Sequence, residues 1–371
     1  MSDQLRRSGA SALAFTLCSL MIACGGGGGG AEPQPAAATT PTGPSAPPAA
    51  PVAPPAPVVP STPAAPAAVV LKPPVLSFTD TGLSVSDGIT RNGLWSVTSD
   101  DLAWEFSLDQ GRSWTRGVGG SFEVRSEGAQ MIWVRTRDDL GNTSEVVMVS
   151  CVLDTAPPGA VAVTPTAEGA TRTLQLAALE AGARWEYSLD GQSNWLPGTG
   201  VALSVLGNGL PRLWLRQVDV AGNGSMPQAF MLEQPGTEGW HEASSNPLQP
   251  STVARGAQTL LIHGSVMGTD ADYVRWDIPA QQRLTSVRLV QYLSDDPVAF
   301  YALQRAAVFD AGIDVNRMLV YGHMGPADLL RNVLAAVAPE RLGAGPMTLW
   351  FQQTGMLPTR YAIEVIFQPV P

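Results

Sequence analysis

Trp104-Glu105-Phe106-Ser107-Leu108-Asp109 returns 81 residues later as Trp185-Glu186-Tyr187-Ser188-Leu189-Asp190. The same offset carries Trp133-Val134-Arg135 onto Trp214-Leu215-Arg216. It also carries Asp138, Gly141, Asn142 and Ser144 onto Asp219, Gly222, Asn223 and Ser225. A register held over roughly forty residues without an insertion is a duplication, not shared composition. Within each copy apolar and polar residues alternate, so one face is apolar and the other polar, the pattern of a half-buried strand. Asp109-Gln110-Gly111 and Asp190-Gly191 supply the left-handed positions of a hairpin turn, with Trp114 and Trp195 on the return strand. Farther on, Ile132, Val134 and Thr136 share one face, and Trp133 and Arg135 the other. Arg135 and Arg216 are expected to pair across the sheet with Glu105 and Glu186 and to cover tryptophan rings. The alternative is an exposed stripe of aromatic and cationic side chains.

Copies of this length with several short strands fit immunoglobulin-like sandwiches. The whole pattern, Trp-Glu-aromatic-Ser-Leu-Asp, a Trp, then Val-Arg-x-x-Asp-x-x-Gly-Asn-x-Ser, resembles the bacterial Ig-like repeats of large surface proteins and adhesins. The resemblance covers about residues 72–234, and Leu153-Asp154-Thr155-Ala156-Pro157-Pro158 resembles the join between modules in such arrays. It implies fold and surface location and names no ligand. In some of these arrays carboxylates near the join hold Ca2+; the matching positions are Asp138, Asn142 and Asp154, then Asp219 and Asn223. Calcium takes six to eight oxygens, more than these residues supply. The second copy also has no counterpart of Asp154, Glu233 being the nearest carboxylate. The competing reading is a turn in which each Asx side chain binds its own backbone.

Gly236 to Pro250 is rich in Gly, Pro and Ser and marks a linker, taken as residues 236–254. Beyond it, strands are predicted at 258–266, 272–278, 284–293, 299–304, 317–321, 347–353 and 361–367. Pro326 followed by Leu329, Leu330, Val333, Leu334 and Val337 on one stripe, closed by Pro339, predicts a single inserted helix. Asp270-Ala271-Asp272-Tyr273 and Ile278-Pro279-Ala280-Gln281-Gln282 resemble secreted jelly-roll domains typified by bacterial pre-peptidase C-terminal domains, with Gln281 where glycine is usual. That resemblance covers about residues 255–369 and implies an accessory module of exported proteins.

At the other end, Arg6 and Arg7 precede the apolar run Ser11 to Ala23, too short to span a bilayer. Met21-Ile22-Ala23-Cys24 resembles a bacterial lipobox, and Gly25 to Gly30 follow as a flexible tether. The resemblance implies cleavage after residue 23 and membrane anchoring through a lipidated Cys24. Gly25, rather than Asp, implies the outer membrane, with the protein facing the periplasm or the cell surface. From Ala31 to about Ala68 the chain is nearly all Ala, Pro, Thr, Ser and Val, a composition unable to offset folding entropy and suited to an extended spacer. The expected organisation is thus a signal peptide (1–23), a disordered stalk (24–70), Ig-like repeats (71–153 and 154–235), the linker, and a C-terminal β-sandwich (255–371). The fold class is all-β.

The formal net charge of −10 becomes −11 once residues 1–23, with Arg6, Arg7 and Asp3, are removed. Such a surface repels phosphate backbones and argues against nucleic-acid binding. Of three cysteines only Cys151 lies outside the leader region, so an internal disulfide framework is excluded and Cys151 is expected in the core. His241, His263 and His323 are widely spaced, and no nucleophile, phosphate-binding or metalloprotease motif is present. Asp270, Asp272 and Asp277 are expected at a loop and strand edge and not as an acid/base pair. The leading expectation is a non-catalytic interaction or adhesion scaffold meeting envelope proteins or polysaccharide. The alternatives are a carbohydrate-binding lipoprotein, presenting aromatics such as Trp240, Trp276 and Trp350, and an accessory subunit of a secreted hydrolase. For Trp350, alternation with apolar neighbours points to the core.

Overall fold

The computed structural model describes residues 70–100, 103–207, 210, 212–232, 242–254, 257–353 and 355–370. The leader, Cys24, the stalk up to residue 69, Glu233, Trp240 and His241 lie outside the described residues.

The first repeat contains β1 (Val75–Phe78), β2 (Ile89–Thr90), β3 (Leu94–Thr98), β4 (Ala103–Ser107), β5 (Thr115–Arg116), β6 (Ser121–Glu123), β7 (Gly128–Arg137) and β8 (Val147–Leu153). They form two layers, ordered β1-β3-β6 and β2-β8-β7-β4-β5. Trp95, Trp104, Phe122, Ile132, Val134 and Cys151 fill the space between them. Cys151 is a free, buried thiol, as its apolar surroundings in the sequence require. Leu108 departs from the expected apolar face: β4 ends at Ser107 and leaves it exposed at the turn.

The second repeat contains β9 (Val163–Glu168), β10 (Thr171–Leu176), β11 (Arg184–Ser188), β12 (Leu196–Pro197), β13 (Ala202–Leu206), β14 (Leu213–Val218) and β15 (Gln228–Phe230). Its layers are β12-β11-β14-β15 and β13-β10-β9. The duplication persists atom by atom. The Trp104 indole donates to the Gly119 carbonyl at 2.9 Å, and the Trp185 indole to the Gly200 carbonyl at 2.7 Å. Glu105 lies opposite Arg135 and Glu186 opposite Arg216, and both pairs are closed by salt bridges. The guanidiniums stack over Trp114 and Trp195, at 3.9 and 4.1 Å from the ring centroids. The expected pairing therefore holds, although the covered rings belong to the hairpin's return side and not to Trp133 and Trp214.

The C-terminal part contains β16 (Ser251–Thr252), β17 (Thr259–Val266), β18 (Ala271–Ile278), β19 (Gln282–Leu293), β20 (Ala299–Gln304), β21 (Val320–Met324), β22 (Gly345–Gln353) and β23 (Thr359–Pro369). One layer is β16-β18-β22-β20-β21. The other, β19-β23-β17, continues through parallel pairing of β17 with β13 into the second repeat, making one six-stranded sheet. Buried Glu364 on β23 accepts from the Tyr187 hydroxyl of β11 at 2.6 Å and pairs with Arg288 of β19. The segment expected as a linker joins this body too: it supplies β16, and the Ser244 carbonyl accepts from the Tyr273 amide at 2.9 Å.

The inserted helix expected from Pro326 to Pro339 is absent. Only short 3-10 turns occur there, at Pro326–Asp328 and Pro339–Leu342. Leu330 has φ of +67°, and the Leu330 and Val333 amides donate to the Leu289 and Val287 carbonyls. The segment caps the edge of β19 with its backbone, which satisfies an open sheet edge and leaves no i−4 ladder. Its apolar spacing imitates a helical stripe, yet Leu334 is buried while Leu329 and Leu330 remain exposed.

Candidate functional site

Strand parity sorts the aromatics of the C-terminal sheet. Val274, Trp276, Tyr301, Leu349 and Phe351 point into the sandwich core. Trp276, expected at a ligand surface, is instead fully buried there, in phase with Val274 and Ile278. Trp350, expected in the core, alternates with Leu349 and Phe351 and lies half-buried on the outer face.

That outer face carries two cross-strand rows. Tyr273, Trp350, Ala302 and Tyr321 are consecutive partners, as are Gln352, Phe300 and His323 in the next row. Phe300 meets Trp350 edge-on at 4.7 Å and His323 edge-on at 5.7 Å, geometries that the ring quadrupoles favour. The loop following β20 folds back over part of this face, burying Phe309, Ala311 and Met318 against Tyr273 and Ala302. Beyond that cover the rows stay open as a cavity of about 550 Å³, lined among others by Phe300, Tyr321, His323, Trp350 and Gln352. Its rim holds Ile313, 90% exposed, and Met356, 79% exposed. The volume is that of an ordinary ligand pocket, and an aromatic floor with a few polar groups is the usual composition of one. Among the described residues that line it there is no carboxylate, and His323 is the one imidazole. The strand holding Phe300 and Ala302 was legible in the sequence, but their pairing with His323 and Tyr321 and the face they occupy were not.

The residues matched to calcium positions sit in two turns. The Asp138 carboxylate accepts from the Leu140 and Asn142 amides at 3.0 and 2.7 Å and from the Asn142 side chain at 2.7 Å. Those hydrogen bonds, the Asn142 side chain first, pull its pKa below the usual value. Asp219 takes the Asn223 amide and side chain at 2.8 and 2.9 Å. The Asp154 carbonyl meets the Asn223 side chain at 2.8 Å, so it is the second copy's turn that reaches the join. The Asp154 carboxylate accepts from the Ala156 amide.

No family model and no curated protein matches the sequence. Among solved structures, the apo β-glucuronidase 3 of Bacteroides uniformis is 14% identical over 42% of this chain and 24% of its own length, with a TM-score of 0.17. A structure described as showing promiscuous specificity of carbohydrate-binding modules from the β-sandwich superfamily is 8% identical, over 80% of this chain and 96% of its own, TM-score 0.22. The FN1–FN3 domains of chicken CNTN1 are 10% identical, over 77% and 92%, TM-score 0.16. With its layers paired and its cores filled as described, the chain is an all-β protein built of β-sandwiches.

Proposed function

We propose that the chain is a non-catalytic binding scaffold of a bacterial envelope, tethered through lipidated Cys24 and meeting a protein partner at the aromatic cavity of its C-terminal sandwich. The observation that carries the reading is an open cavity floored by Phe300, Tyr321 and Trp350 and rimmed by exposed Ile313 and Met356. Exposed aliphatic and thioether groups around an aromatic floor suit apolar side chains of a partner, the usual anchors of an interface. Among the described lining residues no carboxylate stands ready to pair with His323 as an acid and a base, which supports binding over hydrolysis. The Ala/Pro-rich stretch then serves as a spacer from an outer-membrane anchor.

A second reading, polysaccharide binding, is favoured by Gln352 and His323 beside the aromatic rings, groups able to hydrogen-bond sugar hydroxyls. Pull-down with the full chain against envelope proteins and against cell-wall polysaccharide separates the two. Capture of protein that Tyr321→Ala abolishes supports the leading reading, and capture of glycan alone replaces it. For the tether, Cys24→Ala is expected to release the protein from membranes; continued membrane association removes the lipid anchor from the proposal.

A further inference from the structure

A second feature of the same sandwich lies at the start of β18, directly after Gly268 and Thr269 of the cavity lining. Glu242, Asp270 and Asp272 each offer a carboxylate oxygen, and these oxygens lie within 4.8 Å of one another. Asp272 faces inward between the two layers and is fully buried. One oxygen, Oδ2, accepts from the Tyr361 hydroxyl of the opposite layer at 2.6 Å. The other, Oδ1, is buried with no hydrogen-bond partner. Gly264 makes room for the group, since a Cβ there would sit 2.5 Å from Asp272 Oδ2. The salt bridges between described residues engage other carboxylates than these three.

We infer that Glu242, Asp270 and Asp272 form a divalent-cation site and that the ion it takes is Ca2+. The donors are all oxygen, which selects hard cations over zinc or copper. Mg2+ holds a near-ideal octahedron, keeps several waters and is usually bound through one or two carboxylates, whereas Ca2+ takes six to eight oxygens in flexible geometry, so three carboxylate oxygens within 4.8 Å of one another suit Ca2+. An ionised carboxylate without a partner is costly to bury, and a bound cation supplies the missing charge. The ion would pin Glu242, two residues before the Ser244–Tyr273 bridge, to the edge of β18. This site does not depend on the cavity's ligand.

The test is calorimetric titration of the chelator-treated full chain with CaCl2, and with MgCl2 in parallel. One saturable calcium site per chain is expected, with magnesium weaker. Glu242→Gln and Asp270→Asn, neither of them a buried residue, should each weaken calcium binding by at least about tenfold, because ligand charge sets affinity in such sites. Calcium should also raise the thermal midpoint of the unsubstituted chain and leave that of the doubly substituted chain unchanged. No saturable uptake up to about 10 mM, beyond the range of weak extracellular calcium modules, overturns the inference. Unchanged affinity in a folded double variant overturns it equally, and so does loss of binding on Asp138→Ala with the two carboxylate variants unaffected.

Discussion

Replacing Arg288 by methionine should destabilise the body formed by the second repeat and the C-terminal sandwich together. The Glu364 side chain has no solvent exposure and that of Arg288 only 19%, so the pair is withdrawn from water. Methionine keeps the length of the stem and removes the charge, leaving Glu364 with the Tyr187 hydroxyl as its remaining side-chain partner. Breaking a buried pair from one side costs about 3–5 kcal/mol, a large share of the roughly 5–15 kcal/mol that holds a domain. Tyr187→Phe removes only a hydrogen bond to a charged group and should cost about 1.5–3 kcal/mol. Adding Glu364→Leu to Arg288→Met should recover only part of the loss, since an apolar pair in place of a buried ion pair is often neutral or better, but the buried Tyr187 hydroxyl then loses its acceptor, at about 1–3 kcal/mol. Lys72→Ala is the control: its partner Asp100 and Lys72 itself are largely exposed, and such pairs contribute about 0–1 kcal/mol. Urea unfolding of the full chain, followed by tryptophan fluorescence and far-ultraviolet circular dichroism, reads all four. Because β13 and β17 make the sheet continuous, Arg288→Met should shift one shared transition. A shift no larger than that of Lys72→Ala, or a second repeat that unfolds apart from the C-terminal strands, refutes the reasoning.

Three other outcomes follow from the geometry. In Gly198→Ala the new Cβ would meet the Trp185 ring at 2.1 Å, so the indole must move and the second repeat should lose about 1–3 kcal/mol, with a changed near-ultraviolet spectrum; wild-type stability would show the ring has space. Gly82 has φ of +99° and its Cβ would lie 2.0 Å from the Val220 carbonyl, so Gly82→Ala should loosen the contact between repeats and speed hydrogen exchange at the Leu83 amide; unchanged exchange would count against that contact. Hydrogen bonds from Ser113, its hydroxyl first, and from Ser107 lower the Asp109 pKa from 3.8 to about 2. A depressed folded value means that the turn's contribution is complete above about pH 4 and is lost as pH falls through about 2. A carboxyl NMR titration should find that midpoint and see it rise in Ser113→Ala, and a native midpoint near 3.8 would contradict it.

The duplicated strands were legible because burial on one face imposes a period of two, and a fixed offset between copies confirmed it. Trp104 and Trp185, with Glu105 and Glu186 facing Arg135 and Arg216, needed only that alternation. Parity alone does not say which face of a two-sided strand is the core. Trp276 and Trp350 were assigned to opposite faces wrongly, since both strands of the pair carry apolar residues on each side. The helix at residues 326–339 failed for a different reason. An irregular segment that places side chains over a sheet edge can show the spacing of a helical stripe, and its backbone partners, the Leu289 and Val287 carbonyls, are distant in sequence. The cavity was hidden by the same non-locality, because its rows form only when β18, β20, β21 and β22 are laid side by side.

The two Asp-x-x-Gly-Asn turns show how differences between copies carry what likeness conceals. The turns share their internal hydrogen bonds, yet Asp138 and Asn142 lie toward solvent while Asp219 and Asn223 are buried. The second turn is gripped by the first repeat. The Thr81 hydroxyl donates to the Ala221 carbonyl at 2.8 Å, Arg91 to the Gly222 carbonyl at 2.6 Å, and the Leu83 amide to the Val220 carbonyl at 3.1 Å. Between its Asp and Gly the first copy has Asp139-Leu140, with Leu140 87% exposed, and the second has Val220-Ala221, with Ala221 fully buried. A charge has become apolar and a large side chain small, the two changes that burial against a neighbouring backbone demands. Aligning the copies to find what they share locates the strands. Asking where they diverge from charged to apolar and from large to small locates the contact that turns two sandwiches into a joined pair.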